Sequence, residues 1–433
     1  MKRMMEPLAA LAACRTHLYR KCNTTRQGIL FMQLLYSAAG IVALFLCAYA
    51  FSSNRKAINW RTVLGAFGLQ AGFAALVLYI PVGQAMLGSM SNGAAKLLSF
   101  ANEGIEFVFG PLANDGFIFA VKVLPLIIFI SALISLLYHL GIMQWVIKLL
   151  GGGIQRLLGT SRAESLVATS NIFLSQGESP LVVRPFLSQM TRSELFAVMV
   201  GGMASVAGSV LGGYAAMGVD LKYLIAASFM AAPGGLLMAK IIVPETQTPA
   251  EQNHVEISDS DQANAIDALA SGAMNGMKVA VAVGTMLVAF ISVIAMLNAG
   301  LSSLGELVDI DGLSLEMLFG YLFSPLALLT GVPVHEIFTV GNLLGQKIAL
   351  NEFVAFLSFA DIKANLSVQS QVIVTFALCG FANIGSIAIQ LGSIGAMVPE
   401  RRKDVASLGV RAVIAATFAN LMSAALAGIF IAL

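Results

Sequence analysis

Charged side chains are scarce in this chain of 433 residues, at 11% of the total, and there are only four cysteines and four histidines. A soluble domain carries about 25% charged residues, so this chain cannot cover a globular surface with charge. A net charge of +2 leaves no basic face for nucleic acid. The cysteines and histidines form neither a disulfide framework nor a metal-ligand spacing. Long unbroken apolar runs exclude an outer-membrane barrel, whose strands alternate over short segments. With 58% hydrophobic residues, the chain is predicted to be a helical membrane protein.

Eight apolar runs have the length of about 20 residues that a transmembrane helix needs. They lie near residues 29–51, 61–81, 117–140, 194–218, 221–243, 270–298, 367–397 and 405–433. The sequence therefore predicts an all-α polytopic membrane protein with eight spans. Residues 1–28 form a basic tail without the apolar core of a signal peptide. Met32, at the start of the first apolar run, is an alternative start, so this tail is treated as optional.

The charges of the loops predict the orientation of the spans. The stretches 52–61, 148–164 and 399–404 are basic, and 300–312 is acidic. These charges predict that the three basic stretches lie in the cytoplasm and that the N-terminus lies outside. The basic tail at residues 1–28 disagrees with this orientation, because it would then lie outside as well. The polar stretch 245–266 is typical of a solvated linker between two halves.

Two apolar segments, 163–190 and 335–362, are interrupted by polar residues, and each precedes a span that is broken by small residues. The same order of segments on both sides of the linker predicts an inverted repeat, the arrangement of secondary transporters that bind solute near the midplane. The predicted units are a tail (1–28), scaffold spans with an amphipathic interfacial segment at 83–110 (29–116), a first repeat (117–243), a linker (244–269) and a second repeat (270–433).

The interrupted segments carry one carboxylate each, Glu178 and Glu352. A carboxylate at membrane depth is costly unless it is paired or hydrated, so it tends to face a polar cavity. Amides (Gln176, Asn383) and hydroxyls (Ser386) nearby supply donors and acceptors for a neutral solute with several hydroxyls or a heterocycle. The alternative is that Glu178 pairs with Arg184 only to hold helices together.

The helix breaks also offer oxygen ligands for a cation. Asn171 and Ser205 each place a side-chain oxygen beside a break, so these two residues are candidate sodium ligands. Each residue alone is more often part of an ordinary hydrogen bond between helices.

At these motifs the sequence resembles the concentrative nucleoside transporter family, from about residue 30 to the end. The resemblance is carried by Asn171-Ile-Phe-Leu-Ser-Gln-Gly-Glu-Ser-Pro-Leu-Val-Val-Arg-Pro185, Asn351-Glu-Phe-Val-Ala355, Gly380-Phe-Ala-Asn383, Ser53-Asn-Arg-Lys-Ala-Ile-Asn59 and Ala101-Asn-Glu-Gly104. It implies a homotrimer in the lipid of a bacterial inner membrane, with two re-entrant hairpins (163–190 and 335–362) per chain. It also implies sodium-coupled symport of nucleosides such as uridine by an elevator mechanism.

The resemblance also assigns the site. It implies that Gln176, Gly177 and Glu178 bind the nucleobase, that Val210 and Phe381 flank it, and that Glu352, Asn383 and Ser386 bind the ribose hydroxyls. Sodium, the co-transported ion, is assigned to Asn171, Leu174, Ser205 and Val206. Gly177 and Gly385 depart from the pattern of many members, which have Thr and Ser at these two positions; the first departure leaves the base preference open.

Three other functions compete with this one. A proton-coupled nucleoside symporter would use Glu178 or Glu352 as the proton carrier. A membrane-embedded enzyme would need a nucleophile with a base, and the polar tips contain no histidine. A passive channel fits less well with carboxylates on hairpins than alternating access does. We therefore expect a transporter and no enzymatic activity.

Overall fold

The computed structural model describes residues 32–250, 262–307 and 309–433. The regular secondary structure in these three ranges is entirely helical, which confirms the predicted all-α fold class. The predicted tail at 1–28 and the middle of the predicted linker lie outside the described residues.

The helices of the first half follow one another in chain order. They are α1 (Met32–Ala50), α2 (Trp60–Leu78), α3 (Pro81–Ser99), α4 (Ala101–Phe109), α5 (Phe119–Lys122), α6 (Leu124–His139), α7 (Ile142–Leu158), α8 (Arg162–Ser170), a 3₁₀ helix (Ser179–Phe186), α9 (Arg192–Ala204), α10 (Gly208–Ala216) and α11 (Leu221–Ile242).

The second half begins with a helix of 43 residues and ends with one of 31 residues. Its helices are α12 (Ala265–Leu307), α13 (Leu315–Leu329), α14 (Ile337–Ala349), α15 (Glu352–Ile362), α16 (Val368–Leu378), α17 (Gly385–Met397) and α18 (Arg402–Ala432).

Within the described ranges, seven helical segments are long and apolar enough to cross a membrane. They are Met32–Ala50, Trp60–Leu78, Phe119–His139, Arg192–Ala216, Leu221–Ile242, Ala265–Leu307 and Pro399–Ala432. The eighth predicted span, 367–397, is instead two short apolar helices, α16 and α17. The break between them follows from Gly380 and the polar Asn383, which favour loop over helix.

The structure also adds two helices, α7 and α13, that the sequence analysis did not assign. The stretch 148–164 is therefore mostly helix rather than loop. Each added helix directly precedes an interrupted segment and packs on its first arm: α7 packs on α8, and α13 packs on α14. Both were missed for physical reasons, because α7 carries three consecutive glycines and α13 has only 15 residues with a proline inside.

The two interrupted segments fold differently. In the second, α14 and α15 form two α-helical arms around Leu350 and Asn351. In the first, α8 is followed by a turn and by the 3₁₀ helix. Pro185 inside this helix has no N–H to donate, and Val183 leaves helical geometry (φ −123°). We refer to residues 163–190 as hairpin 1 and to residues 335–362 as hairpin 2.

The core is formed by α9, α11, α16 and α18, which pack on one another, and it is reinforced by α2. A second pair, α6 and α12, runs side by side. Their backbones approach closely because Gly272 and Gly276 lie at the contact. A Cβ atom at Gly276 would be only 2.7 Å from the Ile128 Cα atom. Small residues at such a crossing are typical of helix packing in membranes.

The basic loops meet at one end of the molecule. The Ser53 backbone N–H donates to the Ile242 carbonyl at 2.9 Å, and the Thr62 hydroxyl donates to the Leu158 carbonyl at 2.9 Å. The Arg401 guanidinium donates to the Met190 carbonyl at 2.7 Å at the same end. The segment 83–110, predicted to be amphipathic, forms α3 and α4, whose residues are mostly exposed.

Candidate functional site

The tip of hairpin 1 presents its carboxylate at the surface of the chain. Glu178 is exposed, and its Oε2 atom accepts hydrogen bonds from the Ser175 N–H at 3.1 Å and from the Ser175 hydroxyl at 2.8 Å. In the described ranges, the ion pairs do not include one between Glu178 and Arg184. The alternative of a pairing that only holds helices together therefore has no support in this structure.

The tip of hairpin 2 encloses its carboxylate. Asn351 caps α15 by accepting a hydrogen bond from the Val354 N–H at 2.9 Å. Glu352 is therefore the first residue of this helix. Glu352 is only 3% exposed. Its Oε1 atom accepts from the Tyr214 hydroxyl at 3.1 Å, and its Oε2 atom accepts from the Asn383 amide at 3.2 Å. Both carboxylate oxygens are thus held by donors, one from α10 and one from the residues between α16 and α17.

The two helix breaks are in direct contact. α9 and α10 are separated by residues 205–207, and α16 and α17 by residues 379–384. The Phe381 N–H donates to the Ser205 carbonyl at 3.1 Å. This bond between the breaks brings a predicted base-flanking residue into direct contact with a predicted sodium ligand.

A continuous chain of hydrogen bonds joins the two hairpin tips. The Gln176 amide donates to the Ser386 hydroxyl at 2.9 Å. The Ser386 N–H donates to Asn383 Oδ1 at 2.9 Å, and the Asn383 amide donates to Glu352. Four residues predicted for solute binding are therefore connected side by side, although the first two are 210 positions apart in the sequence.

A cavity of about 360 Å³ lies against hairpin 1, within the range of about 300–1,000 Å³ that is usual for small-molecule sites. Four predicted site residues line it: Leu174, Glu178, Val210 and Phe381. The opposite wall is formed by α6 and α12, which contribute polar groups such as Tyr138. The cavity therefore separates the hairpin from the α6–α12 pair. Gln176, Asn383, Ser386 and Glu352 are not among its lining residues.

The predicted sodium ligands lie beside the first helix break. Asn171 is 1% exposed, and neither polar atom of its side chain has a hydrogen-bond partner among the described residues. A buried amide without partners is costly, so this one is available to a ligand. Ser205 and Val206 are buried at the break, and Leu174 follows Asn171 in the same turn.

Gly177 does not have a positive φ angle, so a side chain at this position is compatible with the backbone. An added Cβ atom would lie 3.7 Å from the Ser393 Cβ atom, at ordinary contact distance. The Ser393 hydroxyl is buried and has no hydrogen-bond partner among the described residues. A side chain on residue 177 would therefore lie next to this hydroxyl, with its Cβ atom 4.0 Å from the Ser393 Oγ atom.

Comparison with known proteins identifies the family. The profile of the "Na+ dependent nucleoside transporter C-terminus" matches residues 223–428, that of the "N-terminus" matches 39–112, and a "nucleoside recognition" profile matches 120–220. The nucleoside permease NupC of Helicobacter pylori is 46% identical over 412 residues, covering 92% of this chain and 98% of NupC. The chain belongs to the Na+ dependent nucleoside transporter family. The resemblance in its motifs is thereby confirmed.

Another relative and two solved structures are also similar to this chain. An uncharacterized transporter of Haemophilus influenzae is 52% identical over 412 residues, covering 93% of this chain and 99% of its own length. The structure of CNTnw in an inward-facing, substrate-bound state matches with a TM-score of 0.88 at 49% identity, over 92% of this chain and 98% of CNTnw. A CNTnw variant in an outward-facing state matches with a TM-score of 0.90 at 49% identity, over 93% and 99%.

The structure of this transporter shows two further residues, Tyr214 and Gln390, in contact with predicted site residues. Neither was predicted from the sequence. Tyr214 is fully buried, binds Glu352 and packs against Phe353 and Phe356, with ring centroids 4.8 and 4.4 Å away. Gln390 donates to the Met199 carbonyl at 2.9 Å and to Gln176 Oε1 at 3.4 Å. The signal for both was a polar group in an otherwise apolar helix, but nothing in the sequence indicates their partners.

Proposed function

We propose that this chain is a sodium-coupled symporter that carries nucleosides, uridine among them, across a bacterial inner membrane by an elevator mechanism. The observation that carries the proposal is the hydrogen-bonded chain between the hairpin tips. This chain lies beside the cavity and beside the Asn171 side chain, which has no hydrogen-bond partner within the described ranges. Family membership supports the same function. In this proposal the chain is a transporter and not an enzyme.

The nucleoside is assigned to the two tips. Glu352, Asn383 and Ser386 exchange their mutual hydrogen bonds for bonds to the ribose hydroxyls, because carboxylate, amide and hydroxyl groups suit a sugar with both donors and acceptors. The base lies toward hairpin 1, where Gln176, Gly177 and Glu178 bind it and Val210 and Phe381 pack on its faces. The last two side chains already line the cavity together with Glu178.

The sodium ion is assigned to the first helix break. Sodium is the second cargo, and its ligands are the side chains of Asn171 and Ser205 with the carbonyls of Leu174 and Val206. Support comes from the buried Asn171 amide, which has no hydrogen-bond partner among the described residues, and from irregular backbone, which offers carbonyls to an ion.

The elevator assignment rests on the division of the chain at the cavity. Hairpin 1, α10 and the break at Phe381 form one wall, and α6 with α12 forms the other. In the proposal, the first group moves with the solute past the second. Relatives with this fold have been solved in inward-facing and outward-facing states, which supports alternating access. The exposed apolar side chains of α3, α4 and α12 are assigned to lipid and to a homotrimer interface.

The decisive experiment is uptake of labelled uridine into proteoliposomes that contain the purified protein. An inward sodium gradient should drive accumulation, and replacement of sodium by choline should abolish it. Accumulation that follows an inward pH gradient without sodium would favour the proton-coupled symporter instead. Downhill flux of uridine that depends on neither sodium nor protons would favour a channel.

A further inference from the structure

Lys347 is a buried cation at the second helix break that the proposed mechanism does not use. It lies near the end of α14 and is 1% exposed. Its Nζ atom donates to the Ala377 carbonyl at 2.7 Å and to Asn420 Oδ1 at 2.6 Å. The ion pairs of the described residues do not include this lysine. Its ammonium is thus bound by neutral oxygens, as a small cation would be.

Asn420 extends this contact to the ends of two broken helices. Its Nδ2 atom donates to the Ala204 carbonyl at 2.6 Å and to the Cys379 carbonyl at 3.2 Å. Ala204 is the last residue of α9, and Cys379 directly follows α16. Carbonyls at helix C-termini lack partners within the helix and carry partial negative charge. The ammonium and the amide together bind the carbonyls that the two breaks expose.

The chain makes room for this arrangement at Gly380. A Cβ atom there would lie 2.3 Å from Asn420 Oδ1 and 2.7 Å from the Ala204 carbonyl oxygen. Any other residue would therefore displace the Asn420 side chain from between the two breaks. The close approach of Gly380 to Asn420 indicates that the fold fixes the position of the Asn420 amide.

The first repeat has a corresponding position near its helix break, where a different side chain lies. The hairpin 1 carbonyl of Phe173 accepts the Gly208 N–H at 2.9 Å, and the hairpin 2 carbonyl of Ile348 accepts the Ile384 N–H at 3.3 Å. Each bond joins a hairpin tip to the start of the helix half that follows a break. Asn171 lies two residues before the first carbonyl and Lys347 one residue before the second. One repeat thus brings a neutral amide to its break, and the other brings an ammonium.

We propose that the Lys347 ammonium is a built-in cation of the second repeat that holds the break between α16 and α17 in its binding shape. The comparison with a sodium ion at the first break rests on the proposed function, whereas the role of Lys347 in its own repeat does not. Asn383 and Ser386 follow Cys379 by four and seven residues, so the geometry of the break decides where both side chains point. Lys347 is a positioning residue and does not touch the solute.

The test removes the ammonium and returns it as a small molecule. Lys347→Ala deletes the propylammonium portion of the side chain, leaving the oxygens of Ala377 and Asn420 without a cation. We expect uridine binding by the purified full-length variant to fall at least tenfold and its unfolding temperature to drop. Propylammonium should restore both in a dose-dependent way, whereas 1-propanol, of the same size without the charge, should restore neither. Lys347→Met, which keeps the length and loses the charge, should also lose binding.

Lys363 provides the matched control in the same repeat. Its Nζ atom donates to the Gly218 carbonyl at 2.7 Å, at the end of α10, but this contact is exposed. Lys363→Ala should bind uridine as the wild type does and should not respond to propylammonium. The control separates a buried cation from a lysine that merely caps a helix at the surface.

Each outcome decides the proposal. Wild-type binding by Lys347→Met, equal rescue by 1-propanol, or absence of any response to propylammonium would overturn it. If Lys347→Ala cannot be purified as a folded protein, its recovery in propylammonium replaces the binding readout, and lack of recovery in that additive contradicts the proposal. Thermal unfolding requires no transport. If the wild-type protein fails to accumulate uridine with sodium, the proposed function is refuted. The role of Lys347 can still be tested, because the unfolding temperature and its response to propylammonium can still be measured.

Discussion

Hairpin 1 places Glu178 at the exposed edge of the cavity, whereas hairpin 2 encloses Glu352 between Tyr214 and Asn383. The bases of the hairpins differ as well. Hairpin 1 is anchored by a buried ion pair between Glu164 and Lys240. The two repeats therefore share an order of segments but distribute their charges differently. The duplicated arrangement thus contains one accessible carboxylate and one buried carboxylate that its neighbours already hold by hydrogen bonds.

The anchor of hairpin 2 uses hydrogen bonds in place of a buried ion pair. Glu336 accepts the Ser367 N–H and the Ser367 hydroxyl, both at 2.8 Å. These bonds connect the start of α14 to the start of α16. The hairpin and the broken helix are thus joined at their base by Glu336 and near the tip by Lys347.

The strongest test of this contrast is Glu352→Gln. Gln keeps the shape but removes the charge from a group whose two oxygens both accept hydrogen bonds, and a hydrogen bond to a charged group is worth about 1.5–3 kcal/mol. We expect uridine affinity to fall by about 10- to 100-fold, measured by calorimetry on the purified protein. Asp361→Asn, in a more exposed part of hairpin 2, is the control. Unchanged affinity in Glu352→Gln would remove this carboxylate from the site.

The next effect concerns sodium at the first repeat. Asn171→Ala and Ser205→Ala each remove one oxygen ligand from the proposed ion site, so the sodium concentration for half-maximal uridine uptake should rise by about tenfold, with a smaller loss at saturating sodium. Ser170→Ala is the control, because the Ser170 hydroxyl is already bonded to the Val167 carbonyl at 2.9 Å. Sodium dependence like that of the wild type in both variants would refute the assignment.

Glu178→Gln should be milder than Glu352→Gln. Glu178 is exposed, so water can replace part of what the carboxylate provides, and Gln retains an oxygen for the Ser175 N–H. We expect a loss of uridine affinity of less than about tenfold, which corresponds to less than about 1.4 kcal/mol. A loss equal to that of Glu352→Gln would show that exposure in this structure does not distinguish the two carboxylates.

Tyr214→Phe tests whether Glu352 is held in place by its neighbours. The ring still packs between the two phenylalanines, and only one hydroxyl donor is lost. A typical hydrogen bond contributes about 0.5–1.5 kcal/mol, so uridine affinity should fall by a few-fold. In the Glu352→Gln background the same change should cost less, because the two residues act together. If the losses of uridine affinity from the two changes are additive, Tyr214 and Glu352 act independently.

The smallest effect on uridine itself is expected from Gly177→Thr. The backbone at this position accepts a side chain, and its hydroxyl would approach the Ser393 hydroxyl, so the change should narrow the range of bases. Competition of adenosine, inosine and cytidine against labelled uridine should show purines weakened more than pyrimidines. The same order of preference in wild type and variant would mean that residue 177 does not select the base.

The all-α class and the polar interruptions could be predicted from the sequence, because hydropathy and small residues report local environment. The pairings could not. The bond from Gln176 to Ser386 and that from Tyr214 to Glu352 join residues 210 and 138 positions apart, and no periodicity encodes such contacts. The 3₁₀ arm of hairpin 1 and the helices α7 and α13 also escaped, because their proline, glycine and short length weaken the helical signal.

The bond between the Phe381 N–H and the Ser205 carbonyl has a thermodynamic consequence for the proposed site. In the proposal, Phe381 belongs to the wall that faces the base, and Ser205 is a ligand of the sodium ion. An ion that orders Ser205 also orders Phe381, so the nucleoside then binds to a surface whose conformational entropy has already been lost. Linkage is reciprocal: the factor by which sodium tightens nucleoside binding is the factor by which the nucleoside tightens sodium binding. A single backbone hydrogen bond can in this way make each cargo an effector of the other.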